Sequence, residues 1–101
     1  IDVEDPRYLA IYTLVAAIPK GKVCSYGLIA KACEGVSARM VGRALRITPK
    51  GTKLPWQRVV NASLKVSDHG GAAQQIKLLR KEGVEVSDAG KINRQCLWIP
   101  G

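Results

Sequence analysis

Helix-breaking signals divide the first half of this chain into three short segments, and no other feature constrains the fold as strongly. Pro19 and Gly21 end the run "RYLAIYTLVAAI", and Glu34-Gly35 closes "YGLIAKAC". Ser25 and Ser37 stand where the second and third segments begin. Proline lacks the amide hydrogen that a helix interior needs. A glycine adopts the left-handed conformation that terminates helices, and a serine hydroxyl accepts from the free amides of a first turn. Three short capped helices are therefore predicted before residue 48.

Each segment carries its own apolar stripe. Leu9, Tyr12, Val15 and Ala16 recur at helical spacing in the first, and Leu28, Ile29 and Ala32 fall together in the second. The third, "ARMVGRALRI", places Met40, Val41, Ala44 and Leu45 on one face. Arg39, Arg43 and Arg46, at i, i+4 and i+7, form a single opposite stripe. Gly42 sits mid-helix, where it costs up to about 1 kcal/mol relative to alanine. A glycine retained there implies a close approach, by another helix or by a DNA backbone.

Further along, "TPKGTKLP" is a polar loop, and "RVVNASLKV" reads as two strands around an Asn-Ala-Ser turn, a wing-like hairpin. "AAQQIKLLRKEG" is a last helix with Ile76, Leu79 and Ala72 inward and Gly83 as its cap; "VEV" and "CLWI" are short extended pieces. The expected class is mostly α with a short β hairpin, a single winged helix-turn-helix-like domain over residues 1–101. A helical hairpin with a solvated basic face fits the same spacing as a helix-turn-helix.

The charge narrows the function. Sixteen Lys and Arg against eight Asp and Glu leave a net +8 on 101 residues. From Lys20 to Lys65 the only acid is Glu34, whereas Asp2, Glu4 and Asp5 crowd the start. A positive field so localised suits nucleic acid, with a merely lysine-rich soluble surface as the plain alternative. No apolar run approaches the roughly 20 residues of a membrane span, and no signal-peptide pattern opens the chain. Cys24, Cys33 and Cys96 are odd in number and lack Cys-x-x-Cys spacing, and His69 is the sole histidine. They read as reduced, buried thiols in a cytoplasmic protein (nucleoid-associated if bacterial, nuclear if eukaryotic) rather than a disulfide frame or zinc site. Asp68, Glu82, Glu85 and Asp88 form no pair by spacing. Binding is thus better supported than turnover, with no catalytic residue, metal or cofactor expected. From pattern alone, a winged-helix regulator reading sequence in undamaged DNA is one such binder.

Four motifs narrow this further. "GKVCSYGLIAKAC", "SARMVGRALR", "PWQRVV" and "LLRKEGVEV" stand in the order and spacing of the C-terminal, DNA-binding domain of O6-alkylguanine-DNA alkyltransferases, from about Tyr8 to Val86. Those enzymes move an alkyl group from guanine to the cysteine of a Pro-Cys-His-Arg-Val motif. This chain reads Pro55-Trp56-Gln57-Arg58-Val59, and so resembles the alkyltransferase-like proteins, which lack the acceptor cysteine. The resemblance implies a non-enzymatic sensor that binds duplex DNA in the minor groove, flips O6-alkylguanine into a pocket and flags it for nucleotide excision repair proteins. It implies that Tyr26 crowds the 3′ phosphate and that Arg39 fills the gap in the base stack. Ser37, Ala38 and Gly42 would be the small positions lying against DNA, with Arg43 and Arg46 on phosphates. Trp56 would wall the pocket, with Pro55, Gln57, Arg58, Val59 and His69 around it, and Glu82 would hydrogen-bond Gln57. Thr48-Pro49 replaces the family's Asn-Pro turn, and Asp68-His69 its Tyr-Ser pair over the pocket. A monomer is expected.

Overall fold

Every helix of the N-terminal half starts at the cap that the sequence supplies. In the computed structural model, which describes residues 5–47, 54–66 and 71–100, helix α1 spans Pro6–Ala17. The Asp5 carboxylate accepts from the Arg7 amide at 2.9 Å, and Pro6 occupies the first helical position, where its missing N–H is not needed. Gly21, at φ +84°, then reverses the chain into strand β1, Cys24–Ser25. Ser25 Oγ caps helix α2, Tyr26–Ala32, by accepting from the Leu28 amide at 3.1 Å. Ser37 Oγ caps helix α3, Ala38–Arg46, through the Met40 amide at 3.2 Å. Helix α4, Ala72–Lys81, stops at Gly83, whose φ of +92° is the predicted left-handed cap.

Strand β2, Val59–Val60, pairs with β1 in parallel, Cys24 opposite Val59 and Ser25 opposite Val60. Side chains alternate along a strand, so this short ladder separates two apolar clusters. Cys24 and Val59 face the three-helix side with Ile11, Val15, Ile29, Val41 and Ala44. Val23 and Val60 face the other way, toward Leu79 of α4 and Val66, Val84, Val86 and Ile92. The tail joins the same ladder. Leu97 bridges Val23 in parallel, the Val23 amide donates to the Cys96 carbonyl at 2.9 Å, and the Trp98 amide donates to the Val23 carbonyl at 2.7 Å.

The mostly helical class holds, with three local differences. The segment read as a wing hairpin turns back at the expected place, the Asn61 amide donating to the Lys65 carbonyl at 3.2 Å, but its two arms form no strand ladder with each other. Its first strand pairs with β1, and its return, at Lys65, bridges Lys91 instead. On α1 the buried positions are Ile11 and Val15, while Leu9 is 51% exposed and Ala16 is exposed. The inward stripe therefore lies on Ile11, Val15 and Ile18, not on Leu9 and Ala16. On α2 it is Ala30 that is buried beside Ile29, and Ala32 is exposed. A pair of stripes one residue apart on a short helix fits both registers, and the neighbouring helices decide. No described helix is long and apolar enough to cross a membrane.

This register is measurable. Ile11→Ala should destabilise the fold by about 2–4 kcal/mol through the cavity it leaves, and Leu9→Ala by less than about 0.5 kcal/mol. Denaturant unfolding of the two variants checks it, and equal losses would restore the other face.

Candidate nucleic-acid interface

Because Val41 and Ala44 of α3 are buried, the opposite side of that helix must face outward. Arg39, Arg43 and Arg46 are all exposed there, on the wall of a cleft of about 1400 Å³. Ser37, Ala38 and Gly42 continue the same wall. Tyr8 of α1, Tyr26 at the start of α2, and Trp56 with Gln75 line the remainder. Nearly all the residues expected to touch DNA thus meet Trp56 in one concavity. Among its described lining residues there is no acid, so three guanidiniums set its potential.

The two half-buried tyrosines on this cleft differ from Tyr12. The Tyr12 hydroxyl donates to the Ala44 carbonyl at 2.8 Å and ties α1 to α3. Tyr26 instead opens on the cleft, and burial pushes its phenol pKa up. It therefore stays a neutral O–H, fit to donate to a phosphate oxygen.

Trp56 begins a single 3₁₀ turn, Trp56–Arg58, after an inverse γ-turn at Pro55 (φ −79°, ψ 63°), in which the Trp56 amide donates to the Leu54 carbonyl at 2.8 Å. That turn is fastened from its own side chains. Arg58 Nε and Nη2 donate to the two Glu82 oxygens at 2.9 and 3.1 Å, and its Nη1 donates to the Ile18 carbonyl at 2.8 Å. Gln57 Nε2 donates to Glu82 at 2.6 Å, and the Gly21 amide donates at 3.3 Å. Burial by itself would raise the Glu82 pKa. The hydrogen bonds from Arg58, Gln57 and Gly21, with the Arg58 charge, outweigh it and hold the carboxyl below its ordinary range. Arg58 and Glu82 side chains are only 16% and 11% exposed, so the pair is partly desolvated and geometrically bidentate.

The remaining expected site residues fall in different places. Pro55, Gln57 and Arg58 border a smaller cleft of about 440 Å³ on the other side of Trp56, with Ala16, Leu54 and Leu78. Trp56 is thus a partition between two concavities. Val59 is fully buried and shapes the site only from behind. His69, Asp68, Thr48 and Pro49 lie outside the described residues. The predicted Gln57–Glu82 contact is present. Sequence reasoning missed the Arg58–Glu82 pair, Tyr8 and Gln75. Gln75 had a signal: it lies one turn before Leu79, a polar residue on an apolar stripe.

The chemistry available is limited. Cys24 is buried and its thiol is pushed up to about 11 by burial, against a backbone hydrogen bond at Ser25 that lowers it. Burial also raises the Cys33 thiol. None of the three cysteines lines the cleft. Among the described residues no cluster of His, Cys, Asp and Glu could hold a metal ion.

Comparison with known proteins agrees with this geometry. The family profile described as 6-O-methylguanine DNA methyltransferase, DNA binding domain, matches residues 6–84. The chain is 44% identical over 99 residues to a DNA base-flipping protein of Vibrio parahaemolyticus, covering 95% of this chain and 99% of that one. It is 38% identical over 105 residues to alkyltransferase-like protein 1 of Schizosaccharomyces pombe, covering 95% and 97%. The crystal structure of S. pombe Atl1 in complex with damaged DNA containing O6-carboxymethylguanine matches with a TM-score of 0.81 at 32% identity, over 95% of this chain and 97% of that one.

The Glu82 contacts predict an acid limb to stability. A carboxyl whose pKa is depressed by folding contributes stability that is fully present above its unfolded value, about 4.3, and lost as pH falls through the folded value. Stability of the parent should therefore hold down to about pH 5 and then drop, and Glu82→Gln should flatten that drop. Arg58→Met, which leaves the carboxylate unpaired, should cost about 3 kcal/mol near neutrality. Thermal unfolding across pH reads both, and an acid limb unchanged in Glu82→Gln would contradict the assignment.

Proposed function

The chain belongs to the family of the 6-O-methylguanine DNA methyltransferase DNA-binding domain, and we propose that it is a sensor of alkylated DNA that holds a flipped base without repairing it. The observation that carries this reading is the shared cleft: the arginine face of α3 and Trp56 line one concavity, and no thiol reaches it. In the alkyltransferases the residue after the equivalent of Pro55 is the acceptor cysteine. An indole there offers no nucleophile comparable to a thiolate, but it offers a flat apolar wall.

The parts then act in sequence. Arg39, Arg43 and Arg46 draw α3 onto the duplex by neutralising phosphates, which releases counterions and makes binding salt-dependent. Extruding a nucleotide costs a few kcal/mol, less for an alkylated guanine that pairs poorly. Tyr26, on the phosphate side, and Arg39, inserted into the vacated stack from the minor groove, offset part of that cost. O6-alkylation removes the guanine N1 proton and adds apolar bulk, which Trp56 can cover. The name of the base-flipping relative supports the extrusion step. With no transfer step the lesion must pass to another system, and nucleotide excision repair is the recipient proposed from the resemblance to alkyltransferase-like proteins.

Gly42 supports the same docking. A methyl group built at Gly42 meets no described atom within 4 Å, so no described part of this chain requires a glycine there. The close approach is left to DNA. Gly42→Ala should therefore stabilise the free protein by about 0.5–1 kcal/mol while weakening DNA binding. A variant that gains stability and loses no affinity would show that α3 does not lie against the backbone.

The direct test is a titration with matched duplexes carrying guanine or O6-methylguanine. The lesion duplex should bind at least about tenfold more tightly. Arg39→Ala should remove most of that preference, whereas Lys77→Ala, on the exposed side of α4 and away from the cleft, should change affinity by no more than about twofold. Equal affinity of the wild-type protein for both duplexes overturns the reading.

A further inference from the structure

Gln75 is the one polar side chain among the inward positions of α4, and it is 2% exposed where Leu79, one turn on, is fully buried. Its Nε2 donates to two carbonyls of the Trp56 turn, Gln57 at 3.1 Å and Val59 at 2.9 Å. An amide nitrogen carries two protons, and each has an acceptor in line. The turn's own hydrogen bonds run from the Arg58 amide to the Pro55 carbonyl and from the Val59 amide to the Trp56 carbonyl. They leave the carbonyls of Gln57 and Val59 facing α4, where unpaired acceptors would be costly. A leucine at position 75 would fill the space and satisfy neither.

Gln75 and Glu82 are seven residues apart and so lie on one stripe of α4. The Trp56 turn is clipped to that stripe at two points. Glu82 holds it through the side chains of Gln57 and Arg58, next to the smaller cleft. Gln75 holds it through the backbone and itself borders the larger cleft. Of the two clips, only Gln75 acts on the face of the turn where the flipped base would rest.

We infer that Gln75 is the positioning residue that fixes the Trp56 wall against the larger cleft and thereby sets the selectivity for a damaged over an undamaged base. The inference rests on the base-holding function proposed above. It makes a distinction that a purely structural residue would not. Phosphate contacts come from α3 and do not depend on Gln75, so binding to undamaged duplex is preserved when Gln75 is changed. The preference for the lesion needs the indole held within a fraction of an ångström, and it is lost.

The experiment compares wild-type protein, Gln75→Leu and Gln75→Asn, each titrated with guanine and O6-methylguanine duplexes. Trp56 fluorescence is followed in a Trp98→Phe background, so that a single indole reports. Gln75→Leu removes both donors. The expected result is about a tenfold fall in the lesion-to-guanine affinity ratio, with affinity for the guanine duplex changed by no more than about twofold. The lesion-induced change in Trp56 emission should shrink in parallel. Gln75→Asn keeps the amide but cannot span both carbonyls. It should give an intermediate ratio, and it serves as the reading should the leucine variant not fold. If the wild type shows no lesion preference, the proposed function fails before Gln75 is tested. If the wild type discriminates and the folded variants discriminate equally with unchanged Trp56 emission, the positioning role is overturned.

Discussion

The half-buried Glu82 carboxylate, held among Arg58, Gln57 and the Gly21 amide, is the interaction on which the site depends. It joins the end of α4 and the reversal between α1 and β1 to the turn that carries Trp56. Arg58 extends the link to the Ile18 carbonyl at the end of α1. Partly desolvated carboxylates are stable as anions only when surrounded by donors, and this one is. Without it the Trp56 turn would be anchored by strand β2 and Gln75 alone. With it, a three-residue turn is held through both its side chains and its backbone.

These contacts brace a cleft whose described lining holds no thiol. An arginine-bearing helix, a half-buried tyrosine at the start of α2 and a braced turn all border one cleft. Within the Pro-Cys-His-Arg-Val motif the chain differs at the reacting position, where an indole stands, and at its neighbour, where Gln57 gives Glu82 an amide proton to accept. Glu82 anchors the turn through these contacts. Differential binding is what remains when the chemical step is taken away: the energy that would lower a barrier instead lengthens the life of a complex.

Much of this was legible in the sequence because it is local. Ser25, Ser37 and Gly83 announce their caps through side chains or φ angles that act within a few residues. The Arg39, Arg43 and Arg46 stripe follows from helical geometry alone. What was not legible depends on distant partners. Two-residue strands carry no alternation to read, so the parallel pairing of Val59–Val60 with Cys24–Ser25 could not be anticipated. The face of α1 was shifted because Leu9 and Ile11 are equally apolar and only packing against α3 separates them. The Arg58–Glu82 pair spans 24 residues and leaves no spacing signature.

A protein that holds an alkylated guanine and leaves it unchanged can be recognised by incubating it in excess with a duplex containing O6-methylguanine under conditions where the complex persists. The intact protein mass and the nucleoside content of the recovered DNA are then measured together. The expected result is a stable complex, a protein of unchanged mass and full recovery of O6-methylguanine. A protein heavier by one methyl group, or DNA in which the lesion has become guanine or a missing base, would contradict it.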